Sequence, residues 1–183
     1  YLTVSIAEAV IKSTRKAAFD CMKNPDDYTA RANMMWASSL AHNGLTQCGR
    51  EFQLVVHQFE HELSGMYPKI AHGAGLAALW CTWARYVYKA NISRWLQYSA
   101  NVWNLDIDYE HPEKTIEEAI NLQEQYYVSL GMPIGLKALG VEEASLTKLA
   151  LNCSRNKTRT LTGYKPLAYD DILAIYQMAY ERG

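Results

Sequence analysis

Residues 51–77 read EFQLVVHQFEHELSGMYPKIAHGAGLA, and three of the chain's five histidines, His57, His61 and His72, fall inside them. Phe52, Val55, Val56, Phe59, Leu63 and Met66 recur with helical spacing, which predicts an amphipathic helix whose apolar stripe faces a core. At about 100° per residue, His57 and His61 lie one turn apart on the side opposite that stripe, facing a cleft or water. Gly65 and Pro68 break the helix before His72, and Gly73-Ala74-Gly75 leaves room for another group to approach the backbone. An i,i+4 histidine pair with a third histidine from a neighbouring turn can hold a divalent metal. On spacing alone, two solvated imidazoles are the simpler reading. The order is not H-E-x-x-H, because Glu62 follows the second histidine, so the metalloprotease mechanism does not transfer.

Working outward, Ser5-Ile6-Ala7-Glu8 has the form of a capping box for a helix that runs to about Lys23. Asn24-Pro25-Asp26-Asp27 stops that helix and caps a second one, which carries Ala30, Met34, Met35, Trp36, Ala37, Leu40 and Ala41 and ends at Asn43-Gly44. His42 near its end reads as a favourable dipole partner. After His72 a long helical stretch holds Leu76, Leu79, Trp80, Trp83, Tyr86 and Val87, with breaks expected near Asn91 and Asn104. The tryptophans and tyrosines of this framework read as an aromatic core stripe rather than a cofactor-stacking face. His111-Pro112-Glu113 starts the next helix, which ends at Gly131 and Pro133, and a short helix is expected from Val141 to Leu151. Residues 154–166 carry Arg155, Lys157, Arg159 and Lys165 without an acid, a segment able to meet a phosphate but more simply a solvated loop. A last helix runs from about Tyr169 to Tyr180. No segment alternates as a strand would, so the fold class is all-α.

With 183 residues the chain is long enough for a core of its own, and 49% hydrophobic and 20% charged residues are those of a soluble globular protein. No apolar run approaches the roughly 20 residues of a membrane span. A net charge of -1 argues against a nucleic-acid partner. Cys21, Cys48, Cys81 and Cys153 form no C-x-x-C pair and suit free buried thiols in a reducing cytoplasm. The chain opens on Tyr1 with no targeting segment, which reads as part of a longer protein.

Taken together, Ala30-Arg31-Ala32-Asn33-Met34-Met35-Trp36-Ala37-Ser38, Asn43-Gly44-Leu45, the string from His57 through His61-Glu62-Leu63-Ser64-Gly65-Met66-Tyr67, and Ala71-His72-Gly73-Ala74-Gly75-Leu76 resemble the iron-containing alcohol dehydrogenases, most closely the butanol dehydrogenase branch. The likeness covers nearly the whole chain. It implies a two-domain enzyme, of which residues 1–183 are the single all-helical metal and substrate domain and the N-terminal α/β nucleotide domain is absent. It further implies NAD(P)-linked alcohol/aldehyde oxidoreduction, with Fe2+ (or Zn2+) polarising the alcohol oxygen while hydride passes between carbon and nicotinamide.

In that family an aspartate and three histidines hold the metal. The resemblance makes His57 and His72 the last two ligands and His61 the proton relay beside substrate and nicotinamide, with Glu62 second to these. The aspartate and first histidine belong to a D-x-x-x-H motif that does not occur in this chain, nor does a glycine-rich nucleotide segment. The chain alone is therefore expected to be inactive, to hold metal weakly, and to associate as a homodimer. Tyr67-Pro68-Lys69-Ile70 is one residue longer than the family loop, and Ala168 stands where a capping hydroxyl is usual, a loss of about 1 kcal/mol. Two other readings stay open on the residues themselves. One is a stand-alone helical binding module with solvated histidines; the other is a helical metal-dependent hydrolase using Glu60 or Glu62 as its acid.

Overall fold

In the computed structural model the described residues are 2–49 and 51–182; Tyr1, Arg50 and Gly183 lie outside them. Eight α-helices are found among the described residues: α1 (Leu2–Lys23), α2 (Tyr28–His42), α3 (Val55–Met66), α4 (His72–Val87), α5 (Ile92–Trp103), α6 (Pro112–Ser129), α7 (Leu146–Cys153) and α8 (Tyr169–Glu181). No strand occurs among them, only a single antiparallel bridge between Leu161 and Leu167. The all-α reading holds.

Local signals set most boundaries. Asp27 caps α2 by accepting from the Ala30 N–H at 3.0 Å, and Gly44, at φ +89°, closes it as glycine can. Asn91 caps α5 through the Arg94 N–H, and Asn104 ends it in the left-handed region at φ 57°. Pro112 opens α6 from its first turn. At α8 the Ala168 cap has no side-chain bond, but Asp171 accepts the Ala168 N–H at 3.0 Å, so half of a capping box survives the missing hydroxyl.

Three starts differ from expectation. Ser5–Glu8 does not begin α1, which already runs from Leu2; Glu8 instead accepts from Gln97 and Asn101 on α5. Helix α3 begins at Val55, leaving Phe52 outside it and 39% exposed. A single 3-10 turn over Glu143–Ser145 delays α7 to Leu146.

The core is built around α4 and α8. Ile172, Ile175, Tyr176 and Ala179 of α8 are fully buried, as are Leu79 and Ala84 of α4 and Leu63 of α3. Burying each large aliphatic side chain contributes about 1.5–3 kcal/mol. The stripe read in α3 is real from Val55 onward, and the wall opposite it carries the half-buried His57 and the exposed His61. The aromatic stripe is core for Trp80, Trp83, Trp95 and Tyr98, whose ring centroids lie 5.8–6.3 Å apart. Trp36 is not part of it. Helix α2 packs chiefly on α1, through the small buried Ala30 and Ala37, and leaves Trp36, Met35 and Tyr28 exposed.

Only two of the four free cysteines are buried. Burial pushes the Cys81 thiol up to about 12 and the Cys153 thiol up to about 11, whereas Cys48 is exposed and Cys21 half-buried. The basic loop after α7 does not form an anion cradle. Arg155, Asn156 and Lys157 are left-handed, but their N–H groups are spent on Asn152, Leu151 and Ser154. No helix among the described residues is long and apolar enough to cross a membrane.

Side-chain bonds tie α8 to the rest of the fold. The Tyr176 hydroxyl donates to the Phe59 carbonyl of α3 at 2.7 Å, with the two rings edge-on at 5.2 Å. Asp171 accepts from Tyr86 of α4 at 2.7 Å and pairs with Lys165 at 3.1 Å. Burial alone would raise the Asp171 carboxyl, but Tyr86, Lys165 and the Ala168 N–H together hold it below its ordinary value. Tyr176→Phe is expected to cost about 1 kcal/mol in urea unfolding, the worth of one buried hydrogen bond; an unchanged midpoint would show that bond to be idle. Because the folded carboxyl is the stronger acid, the Asp171 contribution is present above the unfolded value of about 3.9 and is lost as pH falls through the folded one. Asp171→Asn should therefore lower the melting temperature at neutral pH and converge with the unsubstituted chain in acid.

Candidate metal centre

Helices α3 and α4 meet at a short turn, residues 67–71, which brings the first residue of α4 back against the middle of α3. Pro68 cannot continue a helix and Tyr67 closes α3 by donating its N–H to Leu63 at 2.8 Å. The Tyr67 hydroxyl then bonds Ser145 at 2.8 Å and fixes the turn to the α7 entry. His72 is thereby brought to His57 and His61, one turn apart on α3.

The three rings form a triangle. Centroids are 5.2 Å apart for His57–His72, 5.8 Å for His61–His72 and 6.1 Å for His57–His61. Two imidazoles bound to one ion at about 2.1 Å per bond have centroids roughly 4.5–5.3 Å apart, for octahedral to tetrahedral angles. The His57–His72 pair meets that separation; His61 stands wider. A second grouping exists, since Glu60, His61 and His72 present donor atoms within 4.8 Å of one another. Glu60 is however already engaged with His72, and the other pair is the closer match to shared coordination. Burial, and then the neighbouring His72 and His61, push the His57 imidazole below its ordinary pKa. That favours the neutral imidazole, the form that offers a lone pair to a metal.

Glu60, read in the sequence only as a possible hydrolase acid, lies buried beside the triangle. It has no exposed surface, its Oε2 contacts His72 Nδ1, and its Oε1 accepts from the Ser64 hydroxyl at 2.5 Å. A Cβ on Gly75 would sit 2.8 Å from Glu60 Cγ and Oε1, so a side chain at residue 75 would collide with the carboxylate. The signal was present: Glu60 falls one turn after Val56 and three before Leu63, an acid within the apolar stripe. Glu62 is half-buried and acts electrostatically on Cys153 and Tyr176 instead. His42 and His111 lie at the ends of α2 and α6, outside the triangle.

Comparison with known proteins identifies the family. The chain is 37% identical over 181 residues to NADH-dependent butanol dehydrogenase A of Clostridium acetobutylicum, covering 98% of this chain and 46% of that protein. The crystal structure of NADH-dependent butanol dehydrogenase A from Thermotoga maritima superposes with a TM-score of 0.90 at 29% identity, over 98% of this chain and 46% of the other. The aldehyde reductase YqhD from E. coli gives a TM-score of 0.90 at 25% identity, over 97% and 46%. The chain thus spans about half the length of the relatives it matches. The profile described as "Fe-containing alcohol dehydrogenase family, C-terminal" matches residues 2–180, and with the helical fold this establishes that the chain belongs to the iron-containing alcohol dehydrogenases and corresponds to their C-terminal domain.

Proposed function

We propose that this chain supplies the helical, metal-holding half of an NAD(P)-linked alcohol/aldehyde oxidoreductase, with residues 1–183 as one metal and substrate domain of a larger two-domain enzyme. The observation that carries the reading is the match of residues 2–180 to the C-terminal domain of an iron-containing family, and the 5.2 Å centroid separation of His57 and His72 is compatible with two imidazoles on one ion. Fe2+ or Zn2+ fits these donors, since imidazole suits both. The remaining aspartate and histidine ligands, and the site for the nicotinamide, come from residues outside this chain. When bound, the metal supplies Lewis acidity toward the alcohol oxygen and the nicotinamide carries the hydride.

The chain's own residues then have distinct tasks. His57 and His72 hold the ion from two helices, so its position follows the α3–α4 packing. His61, exposed and one turn along α3, accepts the alcohol proton at a ring nitrogen and passes it to water, and returns one in aldehyde reduction. A hydrolase in which Glu60 activates water is disfavoured, because that carboxylate has no exposed surface and both its oxygens are engaged. The reading includes a cytoplasmic setting, in keeping with the free cysteines, and a homodimer, for which α2 leaves apolar surface.

Three outcomes test it. In Zn2+ titration the chain should bind weakly, and His57→Ala or His72→Ala should each lower affinity by more than the roughly 10–100-fold that losing a supporting hydrogen-bond partner costs, with His61→Ala far milder. Equal affinity in all three variants would remove the assignment. The chain alone should reduce no NAD(P)+ with alcohols. In the two-domain protein, His61→Ala should lower kcat by about 100-fold or more while leaving metal content intact; an unchanged kcat would exclude the proton role.

A further inference from the structure

We infer that Glu60 is a positioning residue for the metal site: it holds His72 by Nδ1 in the tautomer that leaves Nε2 bare for the ion. The inference rests on the reading of His72 as a ligand and adds what makes it a competent one.

His72 is the first residue of α4, with its side chain 49% exposed. A ring so placed would sample several rotamers and both tautomers in water. The Glu60 contact removes that freedom. An ionised carboxylate only accepts, so Nδ1 must carry the proton, and in the neutral ring Nε2 is then the lone-pair nitrogen. The same contact makes that nitrogen a better donor to a metal.

Three features show that the fold is arranged around this carboxylate. Burying it without partners would be costly, and its two oxygens are met by Ser64 and His72. It lies against the first turn of α4, whose N-terminal dipole favours an anion. Gly75 completes the arrangement: any Cβ there would meet Glu60 Cγ and Oε1 at 2.8 Å and Cδ at 3.2 Å. Gly75 is thus required for space, so that α4 can close on Glu60.

The test uses the chain itself. Long-range 1H–15N correlation of the metal-free protein at neutral pH reads the His72 tautomer directly, and Zn2+ titration reads the consequence. The Nδ1–H form should dominate in the unsubstituted chain. In Glu60→Ala the Nε2–H form should become the major one and Zn2+ affinity should fall about 10–100-fold. Glu60→Gln, which keeps an acceptor oxygen, should recover part of both. Should Glu60→Ala not fold, Glu60→Gln reads alone: a neutral amide oxygen accepts more weakly than a carboxylate, so the Nδ1–H fraction and the Zn2+ affinity should both fall below those of the unsubstituted chain, and values equal to it would overturn the inference.

An unaltered tautomer and affinity in Glu60→Ala would overturn the inference while leaving His72 a ligand. Zn2+ affinity that falls in Glu60→Ala while the His72 tautomer stays unaltered would also overturn it, by showing that Glu60 acts on the ion by a route other than His72. Undiminished affinity in His72→Ala would instead reject the underlying reading, and the tautomer measurement separates the two failures.

Discussion

A carboxylate removed from water must be met by hydrogen bonds or left protonated, and Glu60 is met on both oxygens, by Ser64 of its own helix and by His72 of the next. That requirement couples two helices whose packing would otherwise be specified only by apolar contact. Apolar burial holds α3 against α4 without fixing the rotation of either; the Glu60–His72 contact fixes it, because only one register brings the first residue of α4 over the acid. Gly75 permits the approach and Tyr67, bonded to Ser145, holds the intervening turn.

Behind that contact stands α8. Its buried face packs on α4 and α7, and Tyr176 reaches the Phe59 carbonyl of α3, one residue before Glu60. The last helix of the chain therefore buttresses the wall on which the histidines sit, although it contributes no polar group to the triangle. The loop before α8 does the same from the other side, through Gly163, where an added Cβ would meet Val55 at 2.9 Å. The histidine triangle is thus exposed on one face and backed by packed core on the other, which suits the proposed completion of the site by residues outside this chain.

Most helix boundaries were legible because caps are local. Asp27, Asn91, Asn104 and Pro112 act within three residues of themselves, and their identities suffice. The starts of α1 and α3 were not, since Ser5–Glu8 has the letters of a cap while Glu8 is committed to α5, almost ninety residues away. Trp36 looked like core by type, yet its exposure follows from α2 having little besides α1 to pack on. The histidine triad was readable as a set, but spacing could not separate ligands from solvated rings. The role of Glu60 was illegible for a sharper reason. Whether an acid in an apolar stripe is buried depends on what closes over it, and the residue that allows closure, Gly75, lies fifteen positions on.

The proposed sharing of one divalent ion by His57 and His72 is open to direct measurement. The direct measurement is X-ray absorption at the metal edge on the chain loaded with one equivalent of Zn2+. The outer-shell pattern should show two imidazole rings with nitrogens at about 2.0–2.1 Å, reduced to one ring by His57→Ala or by His72→Ala and unchanged by His61→Ala. A spectrum showing no imidazole scattering, or one that loses a ring with His61→Ala and keeps both with His57→Ala, would contradict it.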